Sequence, residues 1–123
     1  MAAATSAYVA AALCVAWGLA HLAATRPVVS GFEPLTRSNR LTLTMAWIGG
    51  GFALVFIGVL VALVTRSGGT GEAIVPIVYR TSGGMLLAMA VLMLFTASRT
   101  PVVPMKTCPV IQTTAAMLLL IAA

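Results

Sequence analysis

The side chains that could do chemistry in this chain are few. It has one histidine, His21, one lysine, no aspartate, and two glutamates, Glu33 and Glu72. A Ser-His-Asp triad is therefore excluded, and a paired-carboxylate site is not expected because the predicted topology puts Glu33 and Glu72 on opposite sides of a membrane. A zinc site needs three or four ligands, which one histidine, two separated cysteines and two separated acids do not supply. We expect no catalytic residue and no metal site in this chain, and a protein that is not an enzyme.

His21 is the strongest candidate for contacting a ligand. Ionisable groups inside membrane spans are uncommon and often mark proton paths, cofactor contacts or partner interfaces. On a helix, His21 shares a face with Cys14, Trp17 and Gly18, and Trp17 would form one wall of a site for a quinone, a haem or a pigment. The structural alternative is that His21 lies close enough to Arg26 and the headgroup region for its imidazole to reach water or a carbonyl.

Two other polar side chains also have both a functional and a structural interpretation. Arg80 lies about two turns inside the third predicted helix, where it either extends to the membrane surface or binds an anion or a lipid headgroup. Glu33 has three arginines nearby in the sequence. The pattern around Glu33 favours a solvated ion pair in a loop, a contact worth about 0–1 kcal/mol.

Three methionines, Met85, Met89 and Met93, follow one another at a spacing of four residues. Thioethers bind Cu(I), and a ladder of them on one helix face could serve a copper protein. Methionine is also a flexible filler of helix interfaces. Because the same predicted helix has no cysteine or histidine, we predict that these methionines serve packing.

The elements that must position these residues are membrane helices. The chain of 123 residues is 61% hydrophobic and only 7% charged, whereas about a quarter of a soluble domain is charged. No charged side chain occurs in residues 1–25, 41–65, 81–98 or 107–123, and about 20 apolar residues span a bilayer. Backbone amides must be paired in hydrocarbon, so each window is expected to be a helix. We predict an all-α membrane protein, a single domain (1–123) of four transmembrane helices near residues 6–25, 41–65, 74–98 and 107–123, in a compact up-down bundle.

Small residues indicate where these helices pack, either within the chain or against a partner. Close approach of backbones drives helix association in lipid, where apolar side chains gain nothing from leaving acyl chains. The candidate packing positions are Ala12, Ala16, Ala20 and Ala24 on the first helix, Gly49, Gly50 and Gly51 on the second, and Gly84 and Ala88 on the third.

The basic residues predict an orientation. Five of the seven, Arg26, Arg37, Arg40, Arg99 and Lys106, lie in the first and third loops. By the positive-inside rule, loops 26–40 and 99–106 are cytoplasmic and both termini are outside, and we expect a bacterial inner (plasma) membrane. The first helix has no positive n-region, so it is predicted to be retained and not cleaved as a signal peptide. The basic residues form no run with interleaved aromatics, so nucleic acid is not an expected partner.

The length and four-helix layout are similar to those of the small multidrug resistance exporters. That resemblance implies a membrane-embedded acid in the first helix, and residues 1–32 contain none, so the chain is not assigned to that family. We predict a non-catalytic accessory or assembly subunit of a larger membrane complex, with membrane lipids and other transmembrane subunits, or copies of itself, as partners. The alternatives are a subunit that contacts a quinone, haem or pigment through Trp17 and His21 at a subunit interface, and a small dimeric transporter. The chain alone is expected to hold no cofactor.

Overall fold

Helices make up nearly all of the described chain. The computed structural model describes residues 1–68 and 72–123. The elements are α1 (Ala2–Ala23), α2 (Thr25–Ser30), α3 (Arg37–Gly68), α4 (Ile74–Phe95), a single 3-10 turn (Ala97–Arg99) and α5 (Val103–Ala122). The helices α1, α3, α4 and α5 are long and apolar enough to cross a membrane. The predicted fold class is confirmed: this is a multi-pass membrane protein built as a bundle of four transmembrane helices.

Several helices begin and end at other residues than the charge-free windows suggest. The helix α3 begins at Arg37, ahead of residue 41, and the Thr36 hydroxyl caps its first turn by accepting a hydrogen bond from the Asn39 backbone N–H, at 3.2 Å. The helix α5 begins at Val103, ahead of residue 107, so that Pro109 lies inside the helix. A charge-free window marks the part of a span in hydrocarbon, while the helical hydrogen bonds continue into the headgroup region.

The helices pack in a ring in which each neighbour along the chain is also a neighbour in space. The closest packing is between α1 and α3, between α4 and α5, and between α1 and α5. Contact between α3 and α4 is much weaker, so one seam of the bundle is loosely closed. We call the end where α1 ends and α3 begins the loop end, and the opposite end the terminus end.

The seam between α1 and α3 is tight because glycines let the two backbones touch. A Cβ atom added at Gly58 would lie 2.6 Å from the Ala11 carbonyl oxygen, and one added at Gly18 would lie 2.9 Å from the Gly51 carbonyl oxygen. No side chain fits at such distances, so this seam requires glycine at these positions. This is the close approach expected of helices that associate in lipid.

The terminus end holds a polar pair that is fully satisfied. The Thr65 hydroxyl donates to the Val61 carbonyl, at 2.6 Å, and is also 2.6 Å from the Tyr79 hydroxyl. Since the single hydroxyl proton of Thr65 is used on Val61, Tyr79 is the donor in the second bond. This bond joins α3 to α4 inside the core, where Tyr79 is completely buried.

Most of the small residues predicted to pack helices face away from the bundle. Gly51 is buried, and Gly50 and Ala24 are half-buried. The outward-facing positions are Ala12, Ala16, Ala20, Gly49, Gly84 and Ala88. A Cβ atom added at Gly49 or Gly84 would have nothing within 4 Å among the described residues, so these two glycines are not required for close helix packing here.

Candidate intramembrane ligand site

A cavity of about 300 Å³ lies inside the bundle near the loop end. It is enclosed by α1, α3, α4 and α5, and residue 97 of the 3-10 turn also reaches it. No acidic or basic side chain other than one histidine lines it. The lining residues are His21, Leu43, Ala46, Trp47, Gly50, Met89, Leu92, Met93, Ala97, Met105, Cys108 and Gln112.

His21 is held in place by Trp47 from the neighbouring helix. The Trp47 indole N–H donates to the His21 backbone carbonyl at 2.7 Å, and the two rings lie against each other with centroids 3.5 Å apart. The last carbonyls of a helix lack intrahelical partners, and His21 lies in the last turn of α1. Trp47 therefore supplies a donor to a carbonyl in the last turn of α1 and holds the imidazole at the cavity wall.

Two polar groups that line the cavity have no hydrogen-bond partner. His21 Nδ1 and Gln112 Oε1 are buried and unpaired, and their residues are only 6% and 2% exposed. A buried polar atom without a partner costs about 1–3 kcal/mol. Among the described residues, His21 Nδ1 therefore has no carbonyl or other protein group as a hydrogen-bond partner.

Cys108 brings a thiol to the same cavity. Its sulfur accepts a hydrogen bond from the Trp17 indole N–H at 3.3 Å, and the residue is completely buried. Trp17 itself does not line the cavity. Both Cys14 and Cys108 are free thiols, but Cys14 packs in the main apolar core, about two turns along α1 from His21.

Three methionines complete the sulfur-rich part of the lining. Met89 and Met93 are one turn apart on α4, and Met105 contributes from α5, three residues before Cys108. Pro109 has no N–H to donate to the Met105 carbonyl, so α5 lacks one helical hydrogen bond beside the cavity. Met85 faces outward, 53% exposed, and belongs to another surface groove.

We infer that the cavity opens sideways, between α3 and α4. Ala46 of α3 and Leu92 of α4 line it and are also exposed on the outer surface of the bundle. This is the seam where packing is weakest. In a bilayer this opening faces lipid, which gives a lipophilic molecule a route into the cavity.

The structure places the residues singled out from the sequence in different parts of the molecule. His21 lies in the cavity wall, and Trp17 reaches the site only through its bond to Cys108. Arg80 is exposed and lies on the part of α4 near the terminus end, away from the cavity. The loop ion pair is confirmed: Glu33 Oε1 is 2.6 Å from Arg40 Nη2, with both side chains partly exposed.

Sequence reasoning missed Gln112, Trp47 and Met105. Gln112 carried a usable signal, because it is the only glutamine of the chain and lies within a charge-free apolar window, where polar groups are rare and often functional. Trp47 and Met105 carried none, since tryptophan and methionine are ordinary residues at helix ends and interfaces. Only the packing of the helices brings them beside His21.

The donor set of this site consists of one imidazole, one thiol, one amide and several thioethers. Among residues 1–68 and 72–123, no three or more His, Cys, Asp or Glu side chains are grouped so as to hold a metal ion. The site therefore suits a ligand that needs hydrogen bonds or soft sulfur donors more than one that needs carboxylates. No family model, curated protein or solved structure matches this chain.

Proposed function

We propose that this small multi-pass membrane protein holds a ligand inside the bilayer, in the cavity that α1, α3, α4 and α5 enclose at the loop end. The observation that carries the proposal is the pair of unpartnered buried atoms, His21 Nδ1 and Gln112 Oε1, on residues that line one cavity. Natural proteins pair nearly all of their buried polar groups. Two exceptions at one site are explained if a bound molecule or ion supplies the partners.

The free-energy cost of leaving these two polar atoms unpaired supports this interpretation. Each unpaired group costs about 1–3 kcal/mol, while the total stability of a domain is about 5–15 kcal/mol. An apolar residue of similar size at Gln112 would remove its share of this penalty. A buried polar residue that carries such a penalty is typical of a functional site.

The size of the cavity limits the ligand. About 300 Å³ is at the lower end of the range for small-molecule sites. It holds a metal ion, a small molecule or the head of a quinone whose tail leaves through the lateral opening. A complete haem or pigment macrocycle is larger than the enclosed space, so such a cofactor would need a partner subunit to complete its site.

Native mass spectrometry of the protein purified in mild detergent tests the proposal. The wild type is expected to carry a bound component of defined stoichiometry, and His21→Phe and Gln112→Leu are expected to lose it. Phenylalanine keeps an aromatic ring against Trp47, and leucine fills most of the volume of the glutamine side chain without adding a sulfur atom, so both variants should fold.

Tyr79→Phe serves as the matched control, because it removes a buried polar group at the terminus end and leaves the cavity unchanged. The control is expected to retain the bound component. Identical mass spectra for wild type, His21→Phe and Gln112→Leu would contradict the proposal.

A second candidate function is an accessory or assembly subunit of a larger membrane complex. The observation that favours it is the outward direction of Ala12, Ala16 and Ala20 on α1, a stripe of small residues that no helix of this chain covers. Ala16→Leu would keep the fold and block close approach of a partner helix. Co-purifying subunits, or a homo-oligomer, present in wild type and lost in Ala16→Leu would support this role, and a monodisperse wild-type monomer would count against it.

The orientation belongs to the same proposal: the loop end faces the cytoplasm of a bacterial inner membrane. All five basic residues of the first and third loops lie at the loop end, whereas Arg66 and Arg80 lie toward the terminus end. Reporter fusions after Ala123 are expected to be active for a periplasmic reporter and silent for a cytoplasmic one. The opposite result would reverse the orientation.

A further inference from the structure

We infer that the ligand of this cavity is a soft monovalent metal ion, Cu(I), bound by sulfur donors from α4 and α5 next to His21 of α1. This inference rests on the proposed ligand-binding function and names the class of its ligand. The donors that line the cavity are Met89, Met93, Met105, Cys108 and His21.

The helices bring these donors together at spacings that share a helix face. Met89 and Met93 are four residues apart on α4, and Met105 and Cys108 are three apart on α5; both spacings place side chains on one side of a helix. The methionines of α4 alone suggest packing, because that helix offers no cysteine or histidine. The fold adds a thiol from α5 and an imidazole from α1, which removes this objection.

The type of donor selects the metal. Thiolate and thioether sulfur are soft ligands that favour Cu(I), while Mg²⁺ and Ca²⁺ require oxygen donors. Zinc is bound by cysteine, histidine and carboxylates, and among the lining residues only Cys108 and His21 belong to that set. Thioethers are therefore the majority of the available ligands, as a Cu(I) site requires.

The charge of the site selects a monovalent ion. Cys108 is the only lining residue that can become an anion. Cu(I) bound to one thiolate is neutral overall, whereas a divalent ion would leave a net positive charge in a low-dielectric interior, which is strongly unfavourable. Balance of charge thus points to a single Cu(I) per cavity.

Binding exchanges a proton for the metal and involves no electron transfer. The Cys108 S–H bond breaks, the sulfur keeps the electron pair and binds Cu(I), and the proton leaves to the aqueous phase. The Trp17 indole N–H already points at this sulfur from 3.3 Å. An N–H donor there stabilises the thiolate form that the metal needs.

Anaerobic titration of the purified chain against a chromogenic Cu(I) chelator tests the inference. The wild type is expected to bind one Cu(I), and the X-ray absorption spectrum of that complex is expected to show sulfur ligands. Cys108→Ser should weaken binding by roughly 10–100-fold or more, given that even loss of an outer-shell partner has an effect of this size. Met93→Leu should weaken it in the same direction.

Matched controls come from the same residue types outside the cavity. Cys14→Ser and Met85→Leu should bind Cu(I) like the wild type, since Cys14 lies in the main core and Met85 faces outward. Equal losses for Cys14→Ser and Cys108→Ser would overturn the inference. A wild-type complex without sulfur ligands would overturn it as well, and this readout does not depend on any variant folding.

The failure of this inference can be told apart from the failure of the proposed function. If native mass spectrometry finds an organic molecule that His21→Phe loses, and Cu(I) binding does not depend on Cys108, the inference is wrong and the ligand-binding function stands. If the wild type carries no bound component and binds no Cu(I), both are wrong.

Discussion

The helix α3 packs against its two neighbours, α1 and α4, in opposite ways. Against α1, the helix presents Gly51 and Gly58 and approaches so closely that no Cβ atom fits at Gly58. Against α4, it makes little contact along most of its length and leaves a cavity at the loop end. Among the described residues, a side-chain hydrogen bond joins these two helices at the terminus end, between Thr65 and Tyr79.

This difference between the two seams separates the part of the bundle that provides stability from the part where we expect binding. Where the helices touch, the packing is close and the polar pair of Thr65 and Tyr79 is satisfied. Where α3 and α4 separate, a cavity remains, and the unpaired atoms belong to two residues that line it, His21 of α1 and Gln112 of α5. The open seam is where we expect binding, and sites of function are commonly drawn from the less stable parts of a structure.

The largest effect on stability is expected from Gly58→Ala, which adds a methyl group at the tight seam between α1 and α3. The added methyl would lie 2.6 Å from the Ala11 carbonyl oxygen and 3.0 Å from the Val15 backbone nitrogen. Because both are backbone atoms, the helices must move apart. We expect a loss of about 1–3 kcal/mol in the free energy of unfolding, measured by reversible unfolding in mixed micelles.

Gly84→Ala on α4 is the control for this change, because nothing lies within 4 Å of the added methyl. It should leave stability unchanged or raise it by about 0.4–1 kcal/mol, since alanine restricts the unfolded chain. Equal destabilisation by the two substitutions would contradict the account of the tight seam.

The next effect concerns access to the two cysteines. Cys108 lines the laterally open cavity and Cys14 lies in the closed core, so a small membrane-permeant maleimide should label Cys108 about tenfold faster, a difference of about 1.4 kcal/mol in activation free energy. Labelling rates of Cys14→Ala and Cys108→Ala in native membranes measure each thiol separately. Faster labelling of Cys14 would show that the cavity does not open as described.

A smaller effect is expected at the satisfied polar pair. Tyr79→Phe removes the donor to Thr65 and should lower the free energy of unfolding by about 0.5–1.5 kcal/mol. Thr65 keeps its bond to the Val61 carbonyl, which limits the loss. Unchanged stability in thermal unfolding would mean that this link does not hold α3 to α4.

The smallest effect is expected for the ion pair at the loop end. Glu33→Gln removes the contact with Arg40, whose side chain is 52% exposed. Exposed pairs of this kind contribute about 0–1 kcal/mol and are screened by salt. The difference from wild type should therefore shrink further in 1 M salt, and a loss that persists at high salt would indicate another role for Glu33.

The fold could be predicted from the sequence because it depends on one strong signal. Stretches without charged residues that are long enough to span a bilayer permit only helices, and four such stretches give the bundle. The helix ends were less predictable because charge marks the edge of the hydrocarbon and not the end of the hydrogen bonding. Pro109 illustrates this, since it lies inside α5 although it looks like a starting residue.

The site was only partly predictable because it depends on rotation of the helices about their axes. His21 could be singled out as a polar residue in an apolar span. Its ring partner is Trp47 of another helix and not Trp17 of its own, and no periodicity within α1 contains that information. The stripe of Ala12, Ala16 and Ala20 pointed to packing, yet the face that α1 buries includes Ala7, Ala11, Cys14 and Gly18.

The central claim is that the polar groups at the open seam are kept for a ligand and not for the fold. The most direct test is the free energy of unfolding of Gln112→Leu compared with wild type, both freed of bound components. We expect the variant to be at least as stable as wild type, because an unpaired buried acceptor is replaced by an apolar group of similar size, and to have lost ligand binding. A variant destabilised by about 1 kcal/mol or more would show that Gln112 supports the fold, and would contradict the account.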